Sequence, residues 1–255
     1  YMYKTDPNAR GFDQQDLQLA VAISHQTAMT IHRMELMDRA KAEVEGRQIL
    51  HRSLPPELAD NRLGDFLQTG TLPGLDKRQA TAMVIGITSP ELTADIDSVE
   101  HLTSILMDFY KTSSEFIFKR KGVVKYYGDR AVAAFGLVDG ADENHVESGI
   151  KAAWELIDHY SDGFKENNSY KLQVVIGVGD VISGYIGQKS NREFTIFGDV
   201  MSKIEWYYQN YSDADFVVDE EIASIVRDDY KLEAIERKPK EDENAYQFFR
   251  LKVKK

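Results

Sequence analysis

The sequence predicts an α+β protein: a ferredoxin-like sandwich preceded by a long N-terminal helix. Three observations point there. Residues 13 to 52 hold no Pro and a single Gly among many Ala, Met, Leu, Gln and Glu, a composition that favours helix. "QATAMVIGIT" (Gln79 to Thr88) is a nearly continuous apolar run, as expected of a strand buried on both faces. From there the periodicity changes in the order strand, helix, two hairpin strands, helix, strands, the order of such a sandwich.

The elements follow in turn. Asp13 is the expected N-cap of the long helix, with Asp16 at the capping-box position three residues on. Leu17, Ala20, Val21, Ile31, Met34 and Met37 recur along it, interrupted by Thr27, Asp38 and Lys41, which gives partial support to a parallel two-stranded coiled coil. "SLPPEL" (Ser53 to Leu58) stops the helix, because consecutive prolines remove donors and push Leu54 out of helical geometry. After the Gln79–Thr88 strand, Leu102, Ile105, Phe109, Phe116 and Ile117 mark a helix. "GVVKYYGDRAVAAFG" (Gly122 to Gly136) reads as a hairpin. A helix is expected from about Asp142 to Tyr160, and "KLQVVIGVGDVISGYIG" as two strands around Gly179-Asp180. "REFTIFG" gives a further strand, and a helix begins near Asp199.

Composition narrows the function classes. The net charge of −11 argues against a nucleic-acid-binding face. No apolar run approaches the roughly 20 residues of a membrane span, and no signal-peptide pattern opens the chain, so a cytoplasmic protein is expected. With no cysteine there is no disulfide, no Cys-ligated zinc and no cysteine nucleophile. The six histidines lack metal-ligand spacing. "GDVISGYIGQKS" departs from a phosphate-loop motif, and "GVGDVISG" from a dinucleotide fingerprint. The opening "YMYKTDPNAR" has no initiator Met and reads as the interior of a longer protein.

Five stretches then make the sequence specific: "LPPEL", a strand ending "GIT", "VVKYYGD…AVAAFG", "GDVISGYIG" and "FTIFGD". In order and spacing, from about residue 53 to 250, they resemble the class III adenylyl/guanylyl cyclase domain. That family shows a strand like F-A-D-I-x-G-F-T, a hairpin like D-K-x-x-G-D, a pair like T-G-E-V-x-x-G-x-I-G and a segment like Y-x-x-x-G-x-x-V-N-x-A-x-R. The preceding "GFDQQDLQLAVAISHQTAMTIHRMEL" resembles the end of a GAF sensor domain with its exit helix. The resemblance divides the chain into residues 1–52, the end of a GAF-like sensor with a signalling helix, residues 53–75, a transducer or linker, and residues 76–255, the cyclase-homology domain.

The resemblance implies a head-to-tail dimer. One subunit supplies two aspartates for two Mg²⁺ (or Mn²⁺) ions, and its partner supplies an adenine-reading lysine with an Asp or Thr, an asparagine and an arginine. Lys125 falls on the adenine-reading lysine, Thr195 on its partner, and Asp129 on the second metal-binding aspartate; the plain alternative for Lys125 and Asp129 is a solvated charge pair at a hairpin end. Counting back from Gly86-Ile87-Thr88, the first metal position is Met83. Asp95 in "ADID" is rejected as a substitute, lying too close to Asp129 and after a Pro-containing loop. The asparagine and arginine positions hold Ser202 and Trp206, and Lys203 faces elsewhere by one helix step.

Methionine is no ligand for a hard cation, and loss of the arginine removes charge stabilisation of the transition state. The leading expectation is a degenerate cyclase domain, a pseudoenzyme acting as a homodimeric regulatory module through the cyclase interface and the N-terminal helix. It retains Lys125 and Thr195 for ATP or another adenine nucleotide. Three alternatives stand beside it: an active adenylate cyclase, making cyclic AMP and pyrophosphate with substitute residues; a pocket filled by Met83, Trp206, Tyr207 or Tyr208; and an unrelated small ligand on the same fold.

Overall fold

The computed structural model describes residues 11–88, 99–138, 144–163, 171–188, 191–211, 216–235 and 246–253; Asp95 lies outside them. The chain divides into two units, Tyr1–Gly46 and Arg47–Lys255.

Helix α1 spans Gln14–Leu50. Asp13 caps it as expected: its carboxylate accepts the Gln15 and Asp16 amides at 2.9 and 3.0 Å, and Asp16 answers by accepting the Asp13 amide at 3.2 Å. Leu17, Leu19, Val21, Ile23, Ile31, Met34 and Met37 on this helix are exposed.

In the second unit, helix α2 (Pro56–Thr69) begins with proline in its first turn and ends at Gly70, whose φ of 67° lets its amide reach the Phe66 carbonyl. Strand β1 (Asp76–Thr88) follows, then α3 (Val99–Lys119), the hairpin β2 (Val123–Tyr127) and β3 (Arg130–Phe135), and α4 (His145–Gly163). Next come β4 (Lys171–Ile186), β5 (Glu193–Phe197), α5 (Asp199–Asn210), β6 (Phe216–Asp219), α6 (Glu220–Val226), β7 (Tyr230–Ala234) and β8 (Phe248–Val253).

The eight strands form one sheet in the order β2-β3-β1-β4-β6-β8-β7, with β5 paired to β4. Residues alternate across its two faces. Met83, Ile85 and Ile87 join Phe109, Ile117, Ile150, Ala153 and Leu156 of α3 and α4 in one core. Ala80, Ala82 and Val84 face the other way, onto Ala59, Leu63 and Phe66 of α2 and Val200, Met201, Ile204 and Tyr207 of α5.

One expected break is absent. Gly179-Asp180 is not a turn: β4 runs unbroken through it, with Gly179 opposite Ala80 and Asp180 opposite Gln79. The glycines serve close approach instead. A Cβ on Gly177 would lie 2.8 Å from Ile204, and one on Gly179 3.1 Å from Val200, so their absence lets α5 press directly on the sheet. At the sheet edge, the Val124 amide of β2 donates to the carbonyl of Ser53, the residue just ahead of "LPPEL", at 3.0 Å.

Candidate functional site

The hairpin β2–β3 turns through Gly128-Asp129, since Tyr127 and Arg130 still pair. Gly128 takes φ 64°, a conformation that is nearly free for glycine. Tyr110 donates to the Gly128 carbonyl at 2.8 Å, and the Asp129 carbonyl accepts the Ile87 amide at 3.1 Å. The turn is thereby fastened to α3 and to the end of β1, with the Asp129 side chain in solvent.

Lys125 projects from β2 and is mostly withdrawn from water, its side chain 14% exposed. Its ammonium lies 2.9 Å from the Glu193 carboxylate and 5.2 Å from the Tyr127 ring centre. Burial works against its charge, but the bonds to Glu193 and Tyr127 outweigh burial and hold its pKa above the ordinary lysine value. Glu193 and Thr195 are alternate residues of β5 and share a face. The ion pair therefore draws Lys125 to the part of β5 that carries half-buried Thr195, which pairs with Gly184 of β4.

The structure puts Met83 elsewhere. Its antiparallel partner is Ala133, four residues into β3 from Asp129, a separation of roughly 13 Å along the strand, and it is fully buried in the core beneath α3 and α4. The residue that the register brings level with the turn is Gly86, which pairs with Arg130. Above it stands Tyr208 of α5: a Cβ on Gly86 would overlap the Tyr208 hydroxyl, approach its Cζ to 2.9 Å and the Asp129 carbonyl to 3.1 Å. Burial, then the Asp129 charge, pushes the Tyr208 hydroxyl pKa up to about 12, with Arg130 opposing. Gly86, Tyr208 and Glu193 are the site residues that sequence reasoning missed or left unplaced. Setting F-A-D-I over Val84-Ile85-Gly86-Ile87, rather than anchoring on the later glycine, would have found Gly86.

Along α5, Ser202 is exposed and bonds back to the Gly198 carbonyl at 3.2 Å. Trp206 packs edge-on to Tyr211 and Tyr246, with ring centres 5.7 and 5.9 Å away. Lys203 turns aside to Asp219 and Glu221, at 2.7 and 2.6 Å, and Asn210 caps the Trp206 carbonyl at 2.8 Å. Tyr207 is core. The residues at the hairpin end do not fit a divalent ion: Asp129 brings one carboxylate, Arg130 beside it brings positive charge, and no group of three His, Cys, Asp or Glu that could hold a metal occurs among the described residues.

Residues 77–238 match the family model for the adenylate and guanylate cyclase catalytic domain. The chain belongs to this family. Similar solved cyclase structures include the adenylyl cyclase CyaB from P. aeruginosa, 17% identical, with a TM-score of 0.58 over 72% of this chain and 98% of that one. The guanylate cyclase domain of RhGC from Catenaria anguillulae, in complex with GTP, is 12% identical, with a TM-score of 0.61 over 71% and 100%. A bacterial light-regulated adenylyl cyclase is 12% identical, with a TM-score of 0.63 over 94% of this chain and 65% of that one. These cyclases share the α+β fold of this chain.

Proposed function

We propose that this cyclase domain is catalytically impaired and serves as a dimeric regulatory module that takes the base end of an adenine nucleotide at Lys125 and Thr195. In this reading residues 1–52 are the end of a GAF-like sensor with its exit helix, residues 53–75 carry the signal onward, and the protein works in the cytoplasm. No described helix is long and apolar enough to cross a membrane, which agrees with that compartment.

The observation that carries the reading is the state of α5. Cyclisation needs a cation to meet negative charge developing on the reacting phosphorus, and removing one such element typically costs about 10²–10³ in rate. Here the arginine position holds Trp206, engaged by two tyrosines, and the asparagine position holds Ser202, bonded to its own helix. The nearest cation on the helix, Lys203, is held by two carboxylates on the far side. The first metal position, read by register as Gly86, adds no carboxylate. Lys125 remains chemically suited to adenine, donating to the N1 acceptor, while Thr195 accepts from the exocyclic amine.

The test is to incubate the purified protein with ATP and Mn²⁺, then Mg²⁺, and quantify cyclic AMP by mass spectrometry beside Lys125→Ala. The expected outcome is no product above the control. Product that Lys125→Ala abolishes would establish the active adenylate cyclase instead.

A further inference from the structure

Gly86 lies on the sheet face that α5 crosses, in line with Ala80, Ala82 and Val84. The helix is held there by four buried side chains, Val200, Met201, Ile204 and Tyr207, and by the glycine contacts that seat it on β4. Tyr208 stands one turn beyond Ile204, so its ring is aimed down at β1. Its hydroxyl occupies the place where any side chain on Gly86 would have to begin. A carboxylate at residue 86 and the Tyr208 ring exclude each other. The phenol brings no negative charge to replace the carboxylate, while Arg130, level with Gly86 in the register, adds a positive one. Mg²⁺ and Mn²⁺ need several oxygen ligands, normally with carboxylates among them, and among the described residues the turn offers Asp129 alone.

We infer that Tyr208 is a built-in occupant of the metal half of this domain, so that the Asp129 turn is a cation-free face and a nucleotide is held without a divalent ion. The second part rests on the nucleotide reading above; the first does not. Gly86 and Tyr208 then form a matched pair, the tyrosine being tolerable only above a glycine. The ligand class narrows accordingly. Recognition falls on the base end, and a nucleotide without its metal–triphosphate cluster, such as AMP, binds as well as MgATP.

Mn²⁺ alone is the first probe, followed by the loss of its free electron paramagnetic resonance signal. The wild-type protein should leave that signal unchanged. Gly86→Asp/Tyr208→Ala should deplete it, and adding Asp129→Asn should restore it. Depletion by wild type that Asp129→Asn abolishes would overturn the inference, as would a folded double variant that binds no more Mn²⁺ than wild type. A second measurement guards against misfolding. Gly86→Ala should lower the thermal midpoint by about 5 °C in the wild-type background and by much less in a Tyr208→Ala background, where only the 3.1 Å approach to the Asp129 carbonyl remains. An equal loss in both would mean that the tyrosine does not occupy that space, and would overturn the pairing.

Calorimetric titration with ATP and AMP, in EDTA and then in Mg²⁺, separates the two proposals. Equal affinities in both buffers support cation-free binding, and affinity seen only with Mg²⁺ overturns it. Binding in neither buffer overturns the nucleotide reading and leaves the Mn²⁺ arm to decide the rest.

Discussion

His145 sits half-buried at the start of α4, its Nδ1 2.8 Å from the Thr81 hydroxyl and its ring against Gly136. Burial lowers its pKa below the ordinary value of 6.5. The folded state thus favours the neutral ring, and the unfolded chain binds the proton more readily. Stability from this site is fully present above pH 6.5 and is lost as pH falls through the lower folded value. Urea midpoints at pH 7.5 and 5.5 should differ more for wild type than for His145→Asn, which keeps a polar group for Thr81 without titrating. An equal pH response would show that the ring does not carry the effect. Asp219 shows the opposite pressure on an acid. It is fully buried at the N-cap of α6, where burial pushes its carboxyl up to about 6 against the pull of Lys203 and the Ile222 amide. At this scale the sequence spoke through residue type. A lysine followed three positions later by Gly-Asp marks a hairpin end, and Lys203 could be placed off the Ser202 face by helix geometry alone. Gly86 was silent, since a strand glycine carries no signature until strand register sets it level with the turn. Tyr208 was named as a pocket filler, but only the packing of α5 on β1 singles it out from Trp206 and Tyr207.

Among the elements, α2 makes the clearest claim on stability. Phe66 and Leu63 are 4% and 5% exposed and pack under the sheet with Leu50 and Leu54. Phe66→Ala should cost about 3–5 kcal/mol, from lost burial and the cavity left behind, read as a lower urea midpoint. A loss under about 1 kcal/mol would mean that α2 is only loosely docked. Helices α3 and α4 were legible because a 3.6-residue apolar repeat persists over several turns, whereas α2 fell in the stretch read as a transducer or linker. β4 was misread because glycine and aspartate together resemble a turn, whereas here Gly179 admits Val200 and Asp180 pairs with Lys77 at 2.5 Å. That distinction depends on α5 and β1, which lie some 20 and 100 residues away in sequence. The anchor for Met83 failed for a related reason: the motif was placed by its glycine, but pairing with β3 fixes which β1 residue meets the turn.

For the molecule as a whole, the absence of cysteine gives dimerisation a clean test. A parallel pairing of α1 brings equivalent residues of two copies together. Ile31, 53% exposed and therefore without cover from its own chain, is a suitable probe. Ile31→Cys should form an inter-subunit disulfide under mild oxidation, seen as a band of doubled mass on a non-reducing gel. A purely monomeric band would remove the helix from the proposed dimer contacts. The fold class was readable from element order across the entire chain, because that order survives changes at single positions. The state of the site was not, since it depends on a few positions whose alignment the structure had to correct.

The hydrogen bond from Val124 to Ser53 gives the domain a load path. A tug on the segment around Ser53 is delivered first to β2, which has one neighbour among the described strands, and it arrives at the peptide that joins Val123 to Val124, one residue before Lys125. Stretching that bond strains the seat of the lysine before it strains the central strands, and a ligand gripping the lysine stiffens the same anchor in return. Handle and fingertip are adjacent residues.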